Sequence, residues 1–328
     1  NATSIRLLNS EKRLALTGTP VENRPEELWS TFDFLAPGFL GTLQQFRKRY
    51  GRPIERGDKT AMELLHARIK PLVLRRLKTE VAKELPDKIE TTLRCEMGAE
   101  QRVLYDHIAA QVRQNIQEKV DEKGAERVHL DILAAIMKLR QVCCDPRLLK
   151  VPEELTIPPS AKLELFQEIV REALESERSI IVFSQFVEMQ KHIITKVQEL
   201  GIEPLWLHGG TRNRDEVVAK FQDPKGPPVI VVSLRAGGTG LNLTRADTVI
   251  HYDPWWNPAV ERQATDRAHR LGQTQQVHVY KLICSESIEE RVLALASRKE
   301  ELVRGLLGSE GSEGGKVITP QEILALLQ

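Results

Sequence analysis

The sequence predicts an α/β fold: a parallel sheet with helices on both faces, plus an all-helical insertion ahead of it. Three observations carry the prediction. From residue 161 onward, short and almost wholly apolar runs alternate with helix-period segments; strands apolar on both faces belong in a sheet covered on both sides. Residues 38–150 carry apolar residues mainly at helical spacing. Between the two, "VPEELTIPPS" at 151–160 is a Pro-rich connection.

The elements follow in chain order. "RLALTG" reads as a short strand ending in the turn "TGTP", and "PEELWSTFDFLAP" as a helix stopped by Pro37. A lone strand and helix cannot bury their own faces, so residues 1–37 are expected to close a domain begun earlier. "FLGTLQQFRKRY" and "AMELLHARIKPLVLRRLKTEVAKEL" read as helices, the second broken or kinked at Pro71. "DKIETTLRCEM" is a brief extended stretch before the helices "AEQRVLYDHIAAQVRQNIQEKV" and "HLDILAAIMKLRQVCC". The alternating region gives strands at "SIIVFS", "PLWLHG", "PVIVVSL", "ADTVIHYD" and "QVHVYKLI", with helices between and after them. "GSEGSEGG" reads as a flexible linker. "TPQEILALL" then opens a helix with a capping box.

Bulk properties exclude several classes. The 328 residues hold 47 Lys+Arg against 46 Asp+Glu, so the net charge is +1 and any nucleic-acid surface must be a local patch. With 41% hydrophobic and 28% charged residues, this is the composition of a soluble globular protein. The four cysteines form no CxxC pair and fit no zinc spacing; buried thiols in a reducing compartment are expected, and no metal ligands. There is no signal peptide and no apolar run of transmembrane length, so a soluble intracellular protein without a membrane partner is expected.

In an open α/β sheet, ligands sit beyond the carboxyl ends of strands, where "SQF" at 184–186, "SLRAGGTGLNLT" at 233–244 and "DPWWNP" at 253–258 fall. Gly237, Gly238 and Gly240 allow close backbone approach to an anion. The loop matches neither GxGxxG nor a Walker A pattern, and alone it is equally consistent with a tight turn. The following helix is expected to run from an Asn257 cap, with Pro258 as its first residue, to Gly272. It would seat Ala264, Ala268 and Leu271 on the core and present Gln263, Arg267 and Arg270 along a second stripe. Guanidiniums fork onto phosphates. Pairing of Asp266 with Arg262 or Arg270 is the purely structural alternative.

Taken in order, "LALTGTPVEN", "IIVFSQF", "SLRAGGTGLNLT", "DPWWNP" and "QATDRAHRLGQTQ" closely resemble the Swi/Snf-type family of ATP-driven DNA translocases. "PIERGD", "LVLRRLKTEVAKELPDKIE" and "HVYKLICSESIEERVLAL" match its intervening segments, so the resemblance runs from about residue 11 to about 306. "PVENRPEELWSTFDFLAPGFLG" looks most like the archaeal and bacterial branch.

The resemblance implies two RecA-like lobes in a complete motor, with ATP between them and DNA across both. It divides this chain into the end of lobe one at 1–37, a helical insertion at 38–150, lobe two at 151–307, and a linker with a C-terminal helix at 308–328. The Walker A lysine and the Asp-Glu-Ala-His-type motif of the first lobe are absent from these 328 residues. The resemblance therefore implies the C-terminal half of a motor, which alone would not hydrolyse ATP.

By the same resemblance Arg267 and Arg270 are arginine fingers. Gln263, Gly238, Gly240, Asn242 and Asp247 serve the nucleotide, and Thr17, Gly18 and Thr19 couple hydrolysis to lobe movement. Ser184, Gln185, Gly210, Thr211, Ser233, Arg235 and Trp256 contact DNA, while Trp255 packs. Arg75 and Arg76 match a pair in the insertion that braces the lobes or forms a structural salt bridge. His208 replaces the family's usual residue before the Gly, which favours a buried or solvent-bonded histidine over a functional one. The implied cofactors are ATP and Mg²⁺, in the complete motor. The implied partners are double-stranded DNA, the first lobe and further proteins, in the cytoplasm and nucleoid of a prokaryote or the nucleus of a eukaryote. The alternative is a non-catalytic DNA- or protein-binding module derived from such a motor.

Overall fold

The structure, a computed structural model, describes residues 10–17, 25–74, 76, 78–123, 128–149, 157–234, 240–255, 257–294 and 297. The expected tail at 308–328 lies outside them, as do Gly18, Thr19, Arg75, Arg235, Gly237, Gly238 and Trp256. The described residues fall into two compact units. One holds those up to 76, with 257–259 and 297; the other holds the remainder from 78 to 294. In chain order the first division falls at 77/78.

The first unit is helical. Helix α1 (Pro25–Leu35) leads to a continuous helical run made of α2 (Leu43–Phe46), a π-turn at Arg47–Gly51 and α3 (Arg52–Glu55). Thr42 and Gln45 form a capping box at its start, closing two of the free amides of a helix N-terminus. Helix α4 (Lys59–Ile69) ends as expected where Pro71 cannot donate to the ladder, leaving a single 3₁₀ turn at Lys70–Leu72. Leu28, Phe32, Phe46, Tyr50, Ile54, Leu65 and Ile69 bury one shared core. The strand expected at 13–18 is not formed over its described part: residues 12–17 are irregular, with Leu14 and Leu16 at 78% and 89% exposure. No strand among the described residues pairs with them, and an unpaired strand has nowhere to place its amides.

The second unit opens with the short helix α5 (Lys78–Val81) and is built on six strands. These are β1 (Lys88–Cys95), β2 (Ile180–Ser184), β3 (Leu205–Leu207), β4 (Val229–Ser233), β5 (Thr248–His251) and β6 (Val277–Cys284). All neighbours are parallel, in the order β1-β6-β5-β2-β4-β3. The expected parallel sheet is thus present, and the extended stretch inside the expected insertion is its edge strand. Only Cys95 of β1 is buried, so β1 lacks the apolar run that marks a central strand, and β6 holds it in place. Helices α6 (Ala99–Lys123), α7 (His129–Cys144) and α8 (Ala161–Glu175) carry the chain from β1 to β2. Helices α9 (Val187–Gln198), α10 (Arg214–Gln222) and α11 (Pro258–Thr265) make the later crossovers.

The two faces of the sheet bury separate cores. Ile180, Val182, Val229, Val231 and Ile250 face one, against Phe166 and Val170 of α8 and Ile193 of α9. Ile181, Phe183, Ile230, Val232 and Val249 face the other, against Phe221 of α10 and Ala264 of α11. This period-2 division is why the central strands read as unbroken apolar runs. Among the described residues no helix is long and apolar enough to cross a membrane.

Candidate nucleotide and nucleic-acid surfaces

At the carboxyl edge of the sheet the structure brings two expected residues together. Ser184 and Ser233 end β2 and β4 and are direct register partners. Both are buried, Ser184 completely. The Ser184 hydroxyl oxygen accepts from the Phe186 amide at 3.3 Å, and its carbonyl accepts from Gln190 Nε2 at 2.8 Å. The part-buried Gln185 is more accessible than Ser184; its amide nitrogen Nε2 is buried without a protein partner.

A charged pair absent from the sequence reading holds this edge. The Gln185 backbone amide donates to both oxygens of Asp253, at 3.2 and 3.1 Å, tying the loop after β2 to the loop after β5. Asp253 is fully buried, and Arg140 of α7, itself 3% exposed, places Nη2 3.9 Å from it. The same Nη2 donates to the Pro254 carbonyl, and the guanidinium lies over the Phe186 ring. Burial raises the Asp253 carboxyl above its ordinary range, and Arg140 pulls it back. One residue on, the Trp255 amide donates to Glu261 at 2.7 Å, and Lys281 of β6 pairs with the same carboxylate at 3.0 Å. Burial works against the Lys281 charge, but Glu261 and Glu90 hold it above its ordinary value.

The arginine segment differs from the sequence expectation. Helix α11 begins as expected, with Asn257 Oδ1 accepting from the Ala259 amide at 3.2 Å, but it ends at Thr265. Arg267 and Arg270 therefore lie on the turns that follow it, and Gln263 is exposed on the helix. Ala264 and Ala268 are buried as expected, whereas Leu271 is 66% exposed, because the helical spacing that would have seated it does not persist. The chain is held instead by bonds to the segment after β4. The Leu243 amide donates to the Arg267 carbonyl at 3.0 Å. Arg270 Nη1 donates to the Leu241 carbonyl at 3.3 Å. Gln273, 6% exposed, donates through Nε2 to the carbonyls of Thr244, Ala246 and Ala268 at 3.0, 2.7 and 3.3 Å.

These partners lie toward the amino ends of the strands. Ala246 precedes β5, and Val277, the first residue of β6, bonds Asp87 just ahead of β1. The serines and the arginines thus occupy opposite ends of the sheet, joined by the α11 crossover. Burial lowers the Arg267 guanidinium from its ordinary value, and the Arg270 charge lowers it further while Asp266 opposes them.

The remaining expected residues scatter. Gly240 takes a left-handed φ of 49°, and Asn242 beside it is exposed. Asp247 sits at the amino end of β5, where its carboxylate accepts from Thr248 Oγ1 at 3.0 Å and burial raises it above the usual range. Gly210 and Thr211 form a closed turn with His208, whose Nδ1 accepts from the Gly210 amide at 3.1 Å; its own amide donates to Thr211 Oγ1 at 3.0 Å. His208 is part-buried and bonded within the protein, where a buried or solvent-bonded histidine was expected. Thr17 and Arg76 are exposed and belong to the first unit.

The four cysteines are free and buried, as expected. Cys95 and Cys284 are register partners with their sulfurs 3.6 Å apart. Cys143, Cys284 and Glu289 lie close enough to hold an ion. The fully buried Lys162, however, donates to both Glu289 oxygens at 2.6 and 2.5 Å, and the Cys284 amide takes Oε2 at 2.8 Å. The carboxylate is satisfied within the protein.

An all-parallel sheet covered on both faces, with polar loops at its carboxyl edge and an arginine turn at the end of its last crossover, defines a RecA-like lobe of the helicase type. Comparison with known proteins gives the family. A profile described as an SNF2-related domain matches residues 1–148, and one described as a helicase conserved C-terminal domain matches 161–272. An "Uncharacterized ATP-dependent helicase" of Mycoplasma pneumoniae is 41% identical over 317 residues, 96% of this chain and 30% of that protein. The chain spans about a third of the length of the curated relatives it matches. Among solved structures, the Sulfolobus solfataricus SWI2/SNF2 ATPase core domain is 37% identical with a TM-score of 0.57, over 95% of this chain and 64% of that one. The core from the same organism in complex with dsDNA is 36% identical with a TM-score of 0.54, over 93% and 68%. The chain belongs to the SNF2 family of helicase-like ATPases.

Proposed function

We propose that this chain supplies the second half of a double-stranded-DNA translocase driven by ATP. Arg267 and Arg270 act as arginine fingers, and the carboxyl-edge loops contact the DNA backbone. The observation that carries the reading is the turn after α11, where two arginines within electrostatic range of each other are held against the 241–246 segment, Arg267 through its backbone carbonyl and Arg270 through its guanidinium. A like-charge pair held in place is relieved by an anion, and the planar fork suits phosphate oxygens. ATP supplies the transferable phosphoryl group. Arg267 and Arg270 would stabilise charge on its oxygens, an effect worth about 10³–10⁵ in rate for such residues. Gln263, Gly238, Gly240 and Asn242 are assigned to the same surface. The carboxylates for Mg²⁺ are assigned to the first lobe, because the described group close enough to hold an ion is thiol-rich and its carboxylate is taken by Lys162.

For DNA, Ser184, Gln185, Gly210, Thr211, Ser233, Arg235 and Trp256 are assigned to contacts that position a backbone without reading sequence. Thr17, Gly18 and Thr19 are assigned to coupling. The relative solved with dsDNA supports the partner. The test has two arms. The chain alone with duplex DNA should show no ATP turnover above background, and measurable turnover would overturn the half-motor reading. In the complete motor, Arg270→Ala should abolish DNA-stimulated hydrolysis and leave duplex affinity largely intact; lost affinity with normal hydrolysis would refute the finger role.

A further inference from the structure

The turn that carries the arginines is gripped by the segment leading into β1. Lys78 Nζ, at the start of α5, pairs with Asp266 Oδ1 at 2.5 Å and donates to the His269 carbonyl at 2.9 Å. Eight residues on, the Pro86 carbonyl accepts from His269 Nε2 at 2.8 Å. A carbonyl only accepts, so His269 carries its proton on Nε2. The gripped residues flank the arginines: Asp266 precedes Arg267, and His269 lies between Arg267 and Arg270.

Two physical consequences follow. First, the turn lies beyond the helical ladder that ends at Thr265, so outside contacts must fix it. One ion pair and two hydrogen bonds with the 78–86 segment supplement the bonds to Leu243 and Gln273. Second, Asp266 is a counter-ion one residue from Arg267, close enough to act on that guanidinium. A carboxylate drawn onto the arginines would compete with phosphate for the same fork. Lys78 engages that carboxylate. Both partners are partly exposed, with side chains 43% and 40% accessible, so the pair adds little to stability. Its significance lies in its place.

We infer that Lys78, with His269, is a positioning residue for the arginine pair: it clamps the turn and engages Asp266, so that this carboxylate is held by the lysine and does not compete with phosphate for the arginines. Lys78 directly follows the helical unit in the chain. The inference rests on the finger role proposed above.

The test uses the complete motor. Lys78→Met should lower the kcat of DNA-stimulated ATP hydrolysis about tenfold, short of the roughly hundredfold that a 1 Å misplacement can cost, with KM and duplex affinity unchanged. Lys78→Arg should retain most of the rate. Adding Asp266→Asn to Lys78→Met should recover at least half of the loss, which a merely structural lysine would not allow. In the chain itself, amide exchange at 266–273 should quicken in Lys78→Met while the sheet keeps its protection. Wild-type kcat in Lys78→Met, or a loss that Asp266→Asn does not relieve, overturns the inference. Arg267→Ala separates the two levels. If it too leaves hydrolysis intact, the finger reading has failed; if it abolishes hydrolysis while Lys78→Met does nothing, only the clamp has failed.

Discussion

Replacing Arg140 by Met should uncouple the loops at the carboxyl edge, in a way that depends on pH. The substitution removes the guanidinium beside Asp253, where both side chains are buried, at 3% and 0% exposure. The stranded carboxyl can stay ionised in a dry site or take up a proton. Protonation sets the upper limit on the cost. An unfolded aspartate titrates near 3.9, so holding it neutral costs about 4 kcal/mol at pH 7 and about 1.5 kcal/mol at pH 5, at 1.36 kcal/mol per unit. The Gln185 amide still bonds the carboxyl and offsets part of this, so about 2–4 kcal/mol is expected at pH 7, near the usual cost of breaking a buried pair. The sign follows from linkage. The variant's folded carboxyl lies above its unfolded value, so the folded state binds the extra proton. Stability is fully present below about pH 3.9 and is lost as pH rises toward the folded pKa. Burial already raises Asp253 in the wild type, but Arg140 pulls it back, so the difference between the two proteins widens with pH. Urea unfolding of the sheet-bearing unit at pH 5 and pH 7 measures it, and Arg140→Met with Asp253→Asn should lose the pH dependence. Equal destabilisation at both pH values would refute the reasoning.

Other perturbations test other joints. Gln273→Leu strands three carbonyls now bonded by one amide; denaturant unfolding should show a loss of about 2 kcal/mol, and amide exchange at 241–246 should quicken. Arg245 donates to the carbonyls of Phe221, Asp223, Pro224, Gly226 and Pro227, so Arg245→Met should raise proteolytic cleavage in that loop before it alters the melting of the sheet. Lys162→Met leaves Glu289 buried and unpaired and should cost about 3–5 kcal/mol. Replacing Glu289 by Leu as well should restore most of it, as read by thermal melting.

Much of the fold was legible because its strands are short and apolar on both faces, which only a covered parallel sheet explains. The edge strand β1 was legible as extended but not as part of that sheet, since it carries Lys88, Glu90 and Arg94 and draws its place from β6. In the site, glycines, serines and arginines stood out by type and position. Arg140, Asp253, Gln273 and Lys78 did not, because each acts through a partner distant in sequence; Arg140 reaches across 114 residues to Pro254 and Lys78 across 191 to His269. The end of α11 was misjudged for a related reason. Helical spacing continues through "DRAHRLG", but after Thr265 the chain passes into i→i−3 turns, and the Leu243 amide takes the Arg267 carbonyl from outside the segment.

The shape of α11 bears on how the two surfaces act together. At 8 residues it spans about 12 Å, too short to be stable alone. Packing and two sets of anchors hold it. Near its start, Glu261 bonds the Trp255 amide and Lys281 at the carboxyl edge. Beyond its end, the turn is bound to Leu241, Leu243, Ala246 and Lys78. A short rod pinned at both ends transmits a shift from one end to the other with little loss, because Ala264 and Ala268 sit in a close-packed core that resists continuous deformation. On the proposed function, one end meets DNA and the other meets the nucleotide. Coupling between them then needs no long pathway: it requires that Glu261 keep Trp255 fixed to the helix. Glu261→Gln keeps the shape and an acceptor for the Trp255 amide but removes the charge that Lys281 pairs with. In the complete motor it should therefore diminish the stimulation of hydrolysis by DNA several-fold while leaving the DNA-free rate near wild type. Equal loss of both rates would show that Glu261 serves folding and not coupling.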